Sequence, residues 1–307
     1  MNTGATDMKE MAMESTITMI GSVLATAVLA YLTGDTSTHV MGFPTLYWCA
    51  VIAMGIQWVA YIPAIILKTE HFYDLVGAAT YVIVVVFAYV YGSADGDLCV
   101  RRLALTMIVC VWALRLGVYL GRRVHKVGKD GRFDDIKVSP LRFGMAWTVQ
   151  GLWVFLTSLS VTVVLTSKSE SSGIDTPMVL GLIIWMMGFG IECVADAQKS
   201  RFKADPANEG RWIDSGLWRY SQHPNYFGEV MLWTGIFVSG VSTYSGWQWL
   251  AALSPVFVYL LLRYGSGVPL LQERGDAKWG DDPDYRAYRA ETNLFLPGPG
   301  VKKRNPR

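Results

Sequence analysis

Gly216-Leu-Trp-Arg-Tyr-Ser-Gln-His-Pro-Asn-Tyr-Phe-Gly-Glu229 is a polar and aromatic stretch that runs directly into an apolar one, Val230–Val241. Hydrogen-bonding and ionisable side chains are costly at a membrane boundary, so a cluster of them there indicates a functional site. The alternative is a basic, aromatic interfacial anchor that precedes a helix. The rest of the chain decides between the two.

The composition indicates an integral membrane protein. Of the 307 residues, 52% are hydrophobic and 17% are charged, whereas soluble domains carry about 25% charged residues. The four cysteines and four histidines are scattered along the chain. We therefore expect neither a disulfide framework nor a bound metal, and we expect no nucleic-acid partner.

Eight apolar runs approach the length of roughly 17–25 residues that spans a bilayer. They are Ile17–Thr33, Thr45–Leu67, Phe72–Tyr91, Leu103–Tyr119, Met145–Leu165, Pro177–Ala197, Tyr226–Val241 and Trp247–Leu262. The seventh is short and contains glycine, so the sequence predicts an all-α, polytopic membrane bundle of seven or eight spans. The predicted organisation is a polar N-terminal segment 1–16, the bundle 17–265, and a cytosolic cap and tail 266–307.

Lysine and arginine concentrate in alternate loops. Arg122–Arg142, Lys199–Arg219 and the C-terminal tail are basic, and the loops on the other side carry only Lys168. Cytosolic loops are enriched in lysine and arginine, so eight spans place these segments and both termini in the cytosol. Arg101 and Arg102, at the far end of the fourth span, are the exception.

Four ionisable side chains share one stripe at the end of the predicted sixth span. They are Glu192, Asp196, Lys199 and Lys203, whose spacing of four, three and four returns to one helical face. One interpretation is a pair of surface ion pairs. However, Glu192 and Asp196 lie inside an apolar run, where a carboxylate needs a polar partner. The change from acidic to basic along the stripe suits a nucleotide, which is the interpretation we favour.

Two further positions in the predicted spans carry polar groups. Arg115 lies within the fourth span, with Trp112 on the same face, and either pairs with a carboxylate or contacts a ligand. Tyr73 and Asp74 open the third span and form a candidate proton donor, because burial raises the pKa of a carboxyl group. The alternative for Asp74 is a carboxylate that stabilises the helix N-terminus, and the residues alone slightly favour it.

His223 and Asn225 flank a proline at a predicted helix start. Pro224 suits the first helical position, because the missing N–H would be unpaired there anyway. The free amides of the next turn, with His223 and Asn225, form a corner that suits an anion or an amide. Arg219 and Tyr220 can hold a phosphate and stack on a ring. We expect the Glu192–Lys203 stripe to lie beside this corner.

At these residues the chain resembles the steroid 5-alpha-reductase C-terminal superfamily, and within it the DUF1295 branch. His-Pro-Asn-Tyr-Phe-Gly-Glu at 223–229 is the specific part of the resemblance. Asp196–Lys203, Pro269–Arg274 and Tyr285–Tyr288 support it. The similarity covers roughly residues 70–300.

The resemblance implies a membrane oxidoreductase that binds NADPH in a cytosol-facing cavity and reduces an activated C=C bond of a steroid-like or other lipid. Asn225 would contact the nicotinamide end, with Tyr226 and Glu229 shaping that pocket. Asp196 would meet the ribose or adenine side, and Lys203, Arg219 or Arg263 the phosphates. In a eukaryote, the expected location is the endoplasmic reticulum.

The departures from the family pattern concern the substrate side. Steroid reductases polarise the substrate ketone with a glutamate and a tyrosine, and a rough alignment places Trp112 at the tyrosine position. Trp112 has no acidic O–H, so Asp74 is the replacement candidate, and Trp112 with Arg115 would contact substrate. Glu192 stands where those reductases use an amide.

Two other functions remain open. Isoprenylcysteine and phospholipid methyltransferases share a His-Pro-x-Tyr-x-Gly core and use S-adenosylmethionine. Asn225 and Glu229 favour the reductase over them. The third possibility is a lipid-binding member of the fold without catalysis, which Trp112 keeps open.

Overall fold

The computed structural model describes residues 3–92, 99–127, 131, 133–168 and 173–299. Within them, ten α-helices account for nearly all of the regular structure. They are α1 Thr3–Thr33, α2 Thr45–Leu67, α3 Tyr73–Tyr91, α4 Val100–Val127, α5 Pro140–Thr166, α6 Thr176–Ala204, α7 Pro224–Gly240, α8 Leu253–Tyr264, α9 Val268–Trp279 and α10 Pro283–Glu291. Short 3-10 helices cover Pro206–Asn208, Gly216–Arg219, Val241–Thr243 and Gly246–Ala252. Strands β1 His39–Val40 and β2 Phe43–Pro44 form a small antiparallel hairpin.

The predicted all-α, multi-pass membrane architecture is confirmed. Seven stretches of the described chain are long and apolar enough to cross a membrane. They are Lys9–Thr33, α2, α3, Val100–Arg122, α5, α6 and the run Gly246–Trp279. Helix α7 has 17 residues and is shorter than these, which is why the sequence left the number of spans between seven and eight.

Helix α1 begins before the predicted first span, and the polar segment that precedes Ile17 is helical from Thr3 onward. Its hydroxyls explain why polar residues do not end the helix there. Ser15 Oγ donates to Met11 O at 2.8 Å, and Thr16 Oγ1 donates to Ala12 O at 2.9 Å. Each hydroxyl is therefore satisfied by the carbonyl one turn earlier, within the helix itself.

The chain divides into two compact units. The first comprises Met1–Asp175 and Gly240–Ser254, and the second comprises Thr176–Ser239 and Pro255–Arg307. In the first unit α5 is the central helix, since 78% of the residues in its most apolar stretch are buried. It packs against α1, α2 and α3, and α3 also packs along α4.

Glycines bring α6 and α7 of the second unit into backbone contact. A Cβ on Gly188 would lie 2.6 Å from Leu232 N, and one on Gly228 would lie 2.6 Å from Gly188 O. Gly181 and Gly235 make the same kind of approach one heptad away. Helices pack this closely in membranes where small residues face each other. The crossing fixes where the N-terminus of α7 lies along α6.

Candidate functional site

The C-terminal segment of the second unit holds the stretch that precedes α7. Gln222 Nε2 donates to Arg289 O at 2.9 Å. The backbone N–H groups of Gln222 and His223 donate to Asn293 O and Leu294 O at 2.8 and 3.1 Å. This part of the chain is therefore fixed by residues about seventy positions further on.

An aromatic cluster supports the same contact. Trp212 packs edge-on against Tyr285 and Trp279, with ring centroids 5.2 and 6.2 Å apart. The buried Tyr288 donates its O–H to Trp218 O at 2.7 Å. Burial raises the pKa of the Tyr288 hydroxyl above its ordinary value. Helices α9 and α10 thus brace the loop between α6 and α7.

Helix α6 positions the 3-10 turn Gly216–Arg219 from the other side. Leu217 N donates to Gln198 Oε1 at 2.9 Å, and Trp218 Nε1 donates to Ala195 O at 3.0 Å. Gly216 has φ +63°, and a side chain there would collide with the Gln198 amide. Lys199 Nζ lies over the Trp218 ring at 4.6 Å, an arrangement in which the ring face attracts the cation.

Asn225 and Asp196 meet where α7 begins. Asn225 Nδ2 donates to Asp196 Oδ1 at 3.3 Å. The glycine crossing produces this contact, because a Cβ on Gly228 would lie 2.7 Å from Glu192 N. Glu192 and Asp196 are 3% and 5% exposed. The expected neighbourhood of the α6 stripe and the His223–Glu229 motif is therefore present in the structure.

His223 forms an aromatic wall beside Asn225. Its ring stacks on Tyr226 with centroids 5.2 Å apart and planes at 17°. Phe295 packs edge-on against both rings, with each pair of centroids 6.2 Å apart. Tyr226 and His223 belong to the predicted motif, whereas Phe295 comes from the C-terminal segment.

The electrostatic environment of His223 is positive. Burial lowers the pKa of its imidazole to about 3, and the charges of Lys199, Arg289 and Arg263 lower it further in the same direction. The ring is therefore neutral at physiological pH. Three cations close enough to affect one imidazole make this corner favourable for an anionic ligand.

His223 Nδ1 and Asn225 Oδ1 are buried polar atoms of this corner that have no hydrogen-bond partner among the described residues. Asp196 orients the Asn225 amide, because a carboxylate can only accept a hydrogen bond and Nδ2 is the donor atom of the amide. Asn225 Oδ1 is thus presented as an acceptor, and an unsatisfied buried acceptor costs about 1–3 kcal/mol. This oxygen is available to accept a hydrogen bond.

All ten residues predicted to contact a cofactor lie in the second unit. Along the α6 stripe, Glu192 and Asp196 are buried, Lys199 is half-buried and Lys203 is exposed. Arg219 lies 6.0 Å from the Tyr220 ring and Arg263 lies 4.9 Å from the Tyr264 ring. Glu229 is half-buried in the second turn of α7.

The four residues predicted for catalysis and substrate binding lie in the first unit. Tyr73 Oη donates to Ala146 O at 2.9 Å, so its hydroxyl has a backbone partner. Asp74 is half-buried in the first turn of α3, as the helix-stabilising alternative also requires. Trp112 is 2% exposed and packs edge-on against Tyr81, and Arg115 is half-buried. Their catalytic and substrate roles stay predictions.

Sequence reasoning missed Arg289, Phe295 and Gln198 as parts of this corner. Arg289 and Phe295 are separated from His223 by most of the C-terminal segment, and no spacing along one helix relates them. Gln198 lies on the α6 face opposite the predicted stripe. No pattern in the sequence pointed to these three residues.

The second unit has two open clefts that do not include the residues at the centre of the corner. One of 470 Å³ is lined by Asp276, Gly280, Tyr285, Arg286, Arg289 and Ala290. The other, of 350 Å³, is lined by Gln198, Arg201, Phe202, Asp205, Asn208, Ile213, Ser215 and Gly216. Neither is lined by His223 or Asn225, so their size does not identify the site. Within the described residues, no cluster of three or more His, Cys, Asp and Glu side chains could hold a metal.

Comparison with known proteins gives two matches. The family model described as "Protein of unknown function (DUF1295)" matches residues 60–292. A probable O-methyltransferase, ustE, from Ustilaginoidea virens is 34% identical over 62 residues, which are 20% of this chain and 22% of that protein. The aligned region therefore spans about a fifth of that relative's length. No solved structure matches.

Proposed function

The chain belongs to the DUF1295 family, and from that premise we propose that it is a membrane oxidoreductase that uses NADPH to reduce an activated C=C bond of a steroid-like or other lipid substrate. The observation that carries the proposal is the orientation of Asn225. Its Nδ2 is engaged by Asp196 and its Oδ1 is buried without a partner among the described residues. In this proposal Asn225 Oδ1 accepts a hydrogen bond from the carboxamide NH2 group of the nicotinamide ring.

The surroundings of Asn225 support the same ligand. The stacked rings of His223 and Tyr226 offer an aromatic surface next to the amide. Asp196 and Glu192 can accept hydrogen bonds from ribose hydroxyls. Lys199, Arg263 and Arg289, which lower the pKa of His223, supply the cations that the pyrophosphate and the 2′-phosphate of NADPH require.

The residues of the chain have separate roles in this proposal. When bound, NADPH supplies a hydride to the substrate double bond. Asn225 and His223 would hold the nicotinamide end in place, and Lys203, Arg219 and the other cations would hold the phosphates. In the first unit Asp74, beside Tyr73, is the proposed proton donor. Trp112 and Arg115 are the proposed substrate contacts.

A second candidate function is an S-adenosylmethionine-dependent methyltransferase of lipids. The partial match to a probable O-methyltransferase favours it. The same corner fits that cofactor in part, because the cations would bind its carboxylate and Asp196 its ribose. Asn225 Oδ1 does not by itself distinguish NADPH from S-adenosylmethionine, since the adenine amino group of S-adenosylmethionine could also donate to it.

Ligand titration of the purified full-length chain tests both functions. We expect NADPH to raise the unfolding temperature, because a ligand at a hundred times its Kd stabilises the folded state by about 2.7 kcal/mol. S-adenosylmethionine should have no effect. Stabilisation by S-adenosylmethionine alone would replace the reductase with the methyltransferase. No response to either ligand would favour a non-catalytic, lipid-binding protein.

A further inference from the structure

Two buried glutamines of the first unit, one from α2 and one from α5, contact the same face of α3. Gln57 is fully buried and its Nε2 donates to Thr80 Oγ1 at 2.8 Å. Gln150 is 6% exposed and its Nε2 donates to Tyr73 O at 3.0 Å. Ionisable and strongly polar groups inside membrane spans are expensive and mark functional sites. No predicted function accounts for this pair.

The hydrogen-bond network fixes which way each amide faces. Thr80 Oγ1 donates its only proton to Val76 O at 2.6 Å, so it must accept from Gln57 Nε2. Tyr73 O is a carbonyl oxygen and can only accept, so Gln150 also presents its Nε2 there. Both side-chain oxygens therefore point away from these partners. Within the described residues, Gln57 Oε1 and Gln150 Oε1 are buried and accept no hydrogen bond.

The two amides lie close together along α3. A Cβ on Gly77 would lie 2.5 Å from Gln150 Nε2, so the absence of a side chain at this position makes room for the amide. Gly77 and Thr80 are three residues apart, which is less than one helical turn. The amide nitrogens of Gln57 and Gln150 therefore lie within about one turn of each other on the same face of α3, where α2, α3 and α5 meet.

A third unsatisfied atom lies one turn away on α5. Trp147 is fully buried, and its indole N–H has no acceptor among the described residues. It is three positions before Gln150 and therefore on the same face of α5. The junction combines two acceptors with one donor. A hydroxyl group can donate to one of the two acceptors and accept from the indole N–H, because it donates one hydrogen bond and accepts two.

We propose that the junction of α2, α3 and α5 binds the hydroxyl group of a lipid alcohol, which donates to one of the two oxygens, Gln57 Oε1 or Gln150 Oε1, and accepts from Trp147 Nε1. A ligand that donates to a buried, unsatisfied acceptor gains stability that no carbonyl, ether or anion can provide. The surrounding spans supply the apolar environment for its hydrocarbon part. An internal water has the same O–H chemistry, and the test separates the two. The proposal does not depend on the function of the NADPH corner.

The test compares ligands that differ only in the donor. The full-length chain in lipid nanodiscs is titrated with 1-hexadecanol and 1-fluorohexadecane, and with cholesterol and its 3-fluoro analogue, and unfolding temperature gives apparent affinity. In at least one pair, the wild-type chain should bind the alcohol about tenfold more tightly, the ratio that one hydrogen bond of 1.4 kcal/mol provides. Equal affinity in both pairs would assign the two oxygens to internal water and overturn the proposal.

Single substitutions test which side chains cause the preference for the alcohol over its fluoro analogue. Of Gln57→Leu and Gln150→Leu, the variant that removes the accepting oxygen should reduce the alcohol preference toward unity. Gln248→Leu is the control, because Gln248 is also a buried glutamine of the first unit but its Oε1 accepts from Ser245 N at 3.0 Å. This variant should keep the preference. If both leucine variants at the junction keep it as well, the proposal is wrong, and the wild-type comparison stands even if a variant does not fold.

Discussion

Asn225 and Asp196 are joined by a hydrogen bond of 3.3 Å between the start of α7 and the end of α6. The two residues are 29 positions apart in the chain, and the glycine crossing of the two helices brings them together. The contact does more than join the helices. It fixes the rotation of the Asn225 amide, so that the donor nitrogen is engaged and the acceptor oxygen is left without a partner among the described residues.

Asn225→Ala should weaken NADPH binding by at least about tenfold. The change removes one hydrogen bond to the ligand, and 1.4 kcal/mol corresponds to a factor of ten in Kd. It also leaves Asp196 without the partner that the structure shows. Isothermal titration of the purified chain with NADPH measures the effect directly.

Asn208→Ala is the matched control for this measurement. Asn208 is an asparagine of the same unit, and its Nδ2 donates to Phe202 O at 3.1 Å, away from the corner. Its replacement should leave the Kd of NADPH unchanged. Equal binding by the Asn225→Ala variant and the wild-type chain would exclude Asn225 from the cofactor site.

Gly228→Ala should destabilise the chain by about 1–3 kcal/mol, the range for overpacking in a well-packed core. The new methyl group would lie 2.6 Å from Gly188 O and 2.7 Å from Glu192 N, both of which are backbone atoms that cannot move independently. Because the crossing also positions Asn225, NADPH binding should weaken together with stability. Unfolding temperature and NADPH titration of the same sample measure both effects.

Gly190→Ala provides the control for the helix crossing. A Cβ at Gly190 has no atom within 4 Å, although this glycine lies on the same helix as Gly188. Alanine in a helix interior is more favourable than glycine by about 0.5–1 kcal/mol. This variant should therefore be as stable as the wild-type chain or more so. A similar loss in both variants would mean that packing at the crossing is not the cause.

The apolar runs predicted the helices well where their ends coincide with sharp changes in composition. The predicted Thr45–Leu67 is α2 as observed, and Phe72–Tyr91 differs from α3 by one residue. The prediction was less accurate where a helix continues past its apolar part. Helix α4 extends to Val127 through basic residues, because arginine and lysine are good helix formers and hydrophobicity marks the membrane and not the helix end.

The candidate site was predicted only as far as helical periodicity reaches. The spacing of Glu192 and Asp196 placed them on one face, and the motif at 223–229 placed Asn225 beside them. The braces from Arg289 and Phe295 could not be predicted, because their contacts join distant segments with no shared period. The unsatisfied oxygens of Gln57 and Gln150 could not be predicted either, because they depend on how α2, α3 and α5 pack together.

Lys137→Met should destabilise the chain by about 3 kcal/mol, because removing one partner of a buried pair leaves an uncompensated charge. Lys137 Nζ lies 2.8 Å from Glu70 Oε2, and the Glu70 side chain is 1% exposed. The double variant Lys137→Met, Glu70→Leu should recover much of the loss, since it removes both charges. Denaturant unfolding of the three chains measures these differences. If the double variant is no more stable than Lys137→Met, the buried charge is not the cause.

The same ion pair predicts a loss of stability at high pH. The hydrogen bond to Glu70 raises the pKa of Lys137 above its ordinary value of 10.5. The folded chain therefore holds this proton more tightly than the unfolded chain, and the contribution is complete below pH 10.5. It should fade as the pH rises through the raised pKa. The Lys137→Met variant should lack this part of the alkaline decline, and an unchanged decline would argue against the pair.

His223 should make the second unit sensitive to acid. Its pKa is lowered from 6.5 to about 3 in the folded chain, so the unfolded chain binds a proton below pH 6.5 that the folded chain does not. Stability therefore falls as the pH decreases from 6.5 toward 3, by at most about 1.4 kcal/mol per pH unit from this group. In His223→Gln, which cannot titrate, the decline between pH 6.5 and 5 should be shallower. Equal slopes in the His223→Gln and wild-type chains would show that this imidazole is not held neutral by its buried, positively charged surroundings.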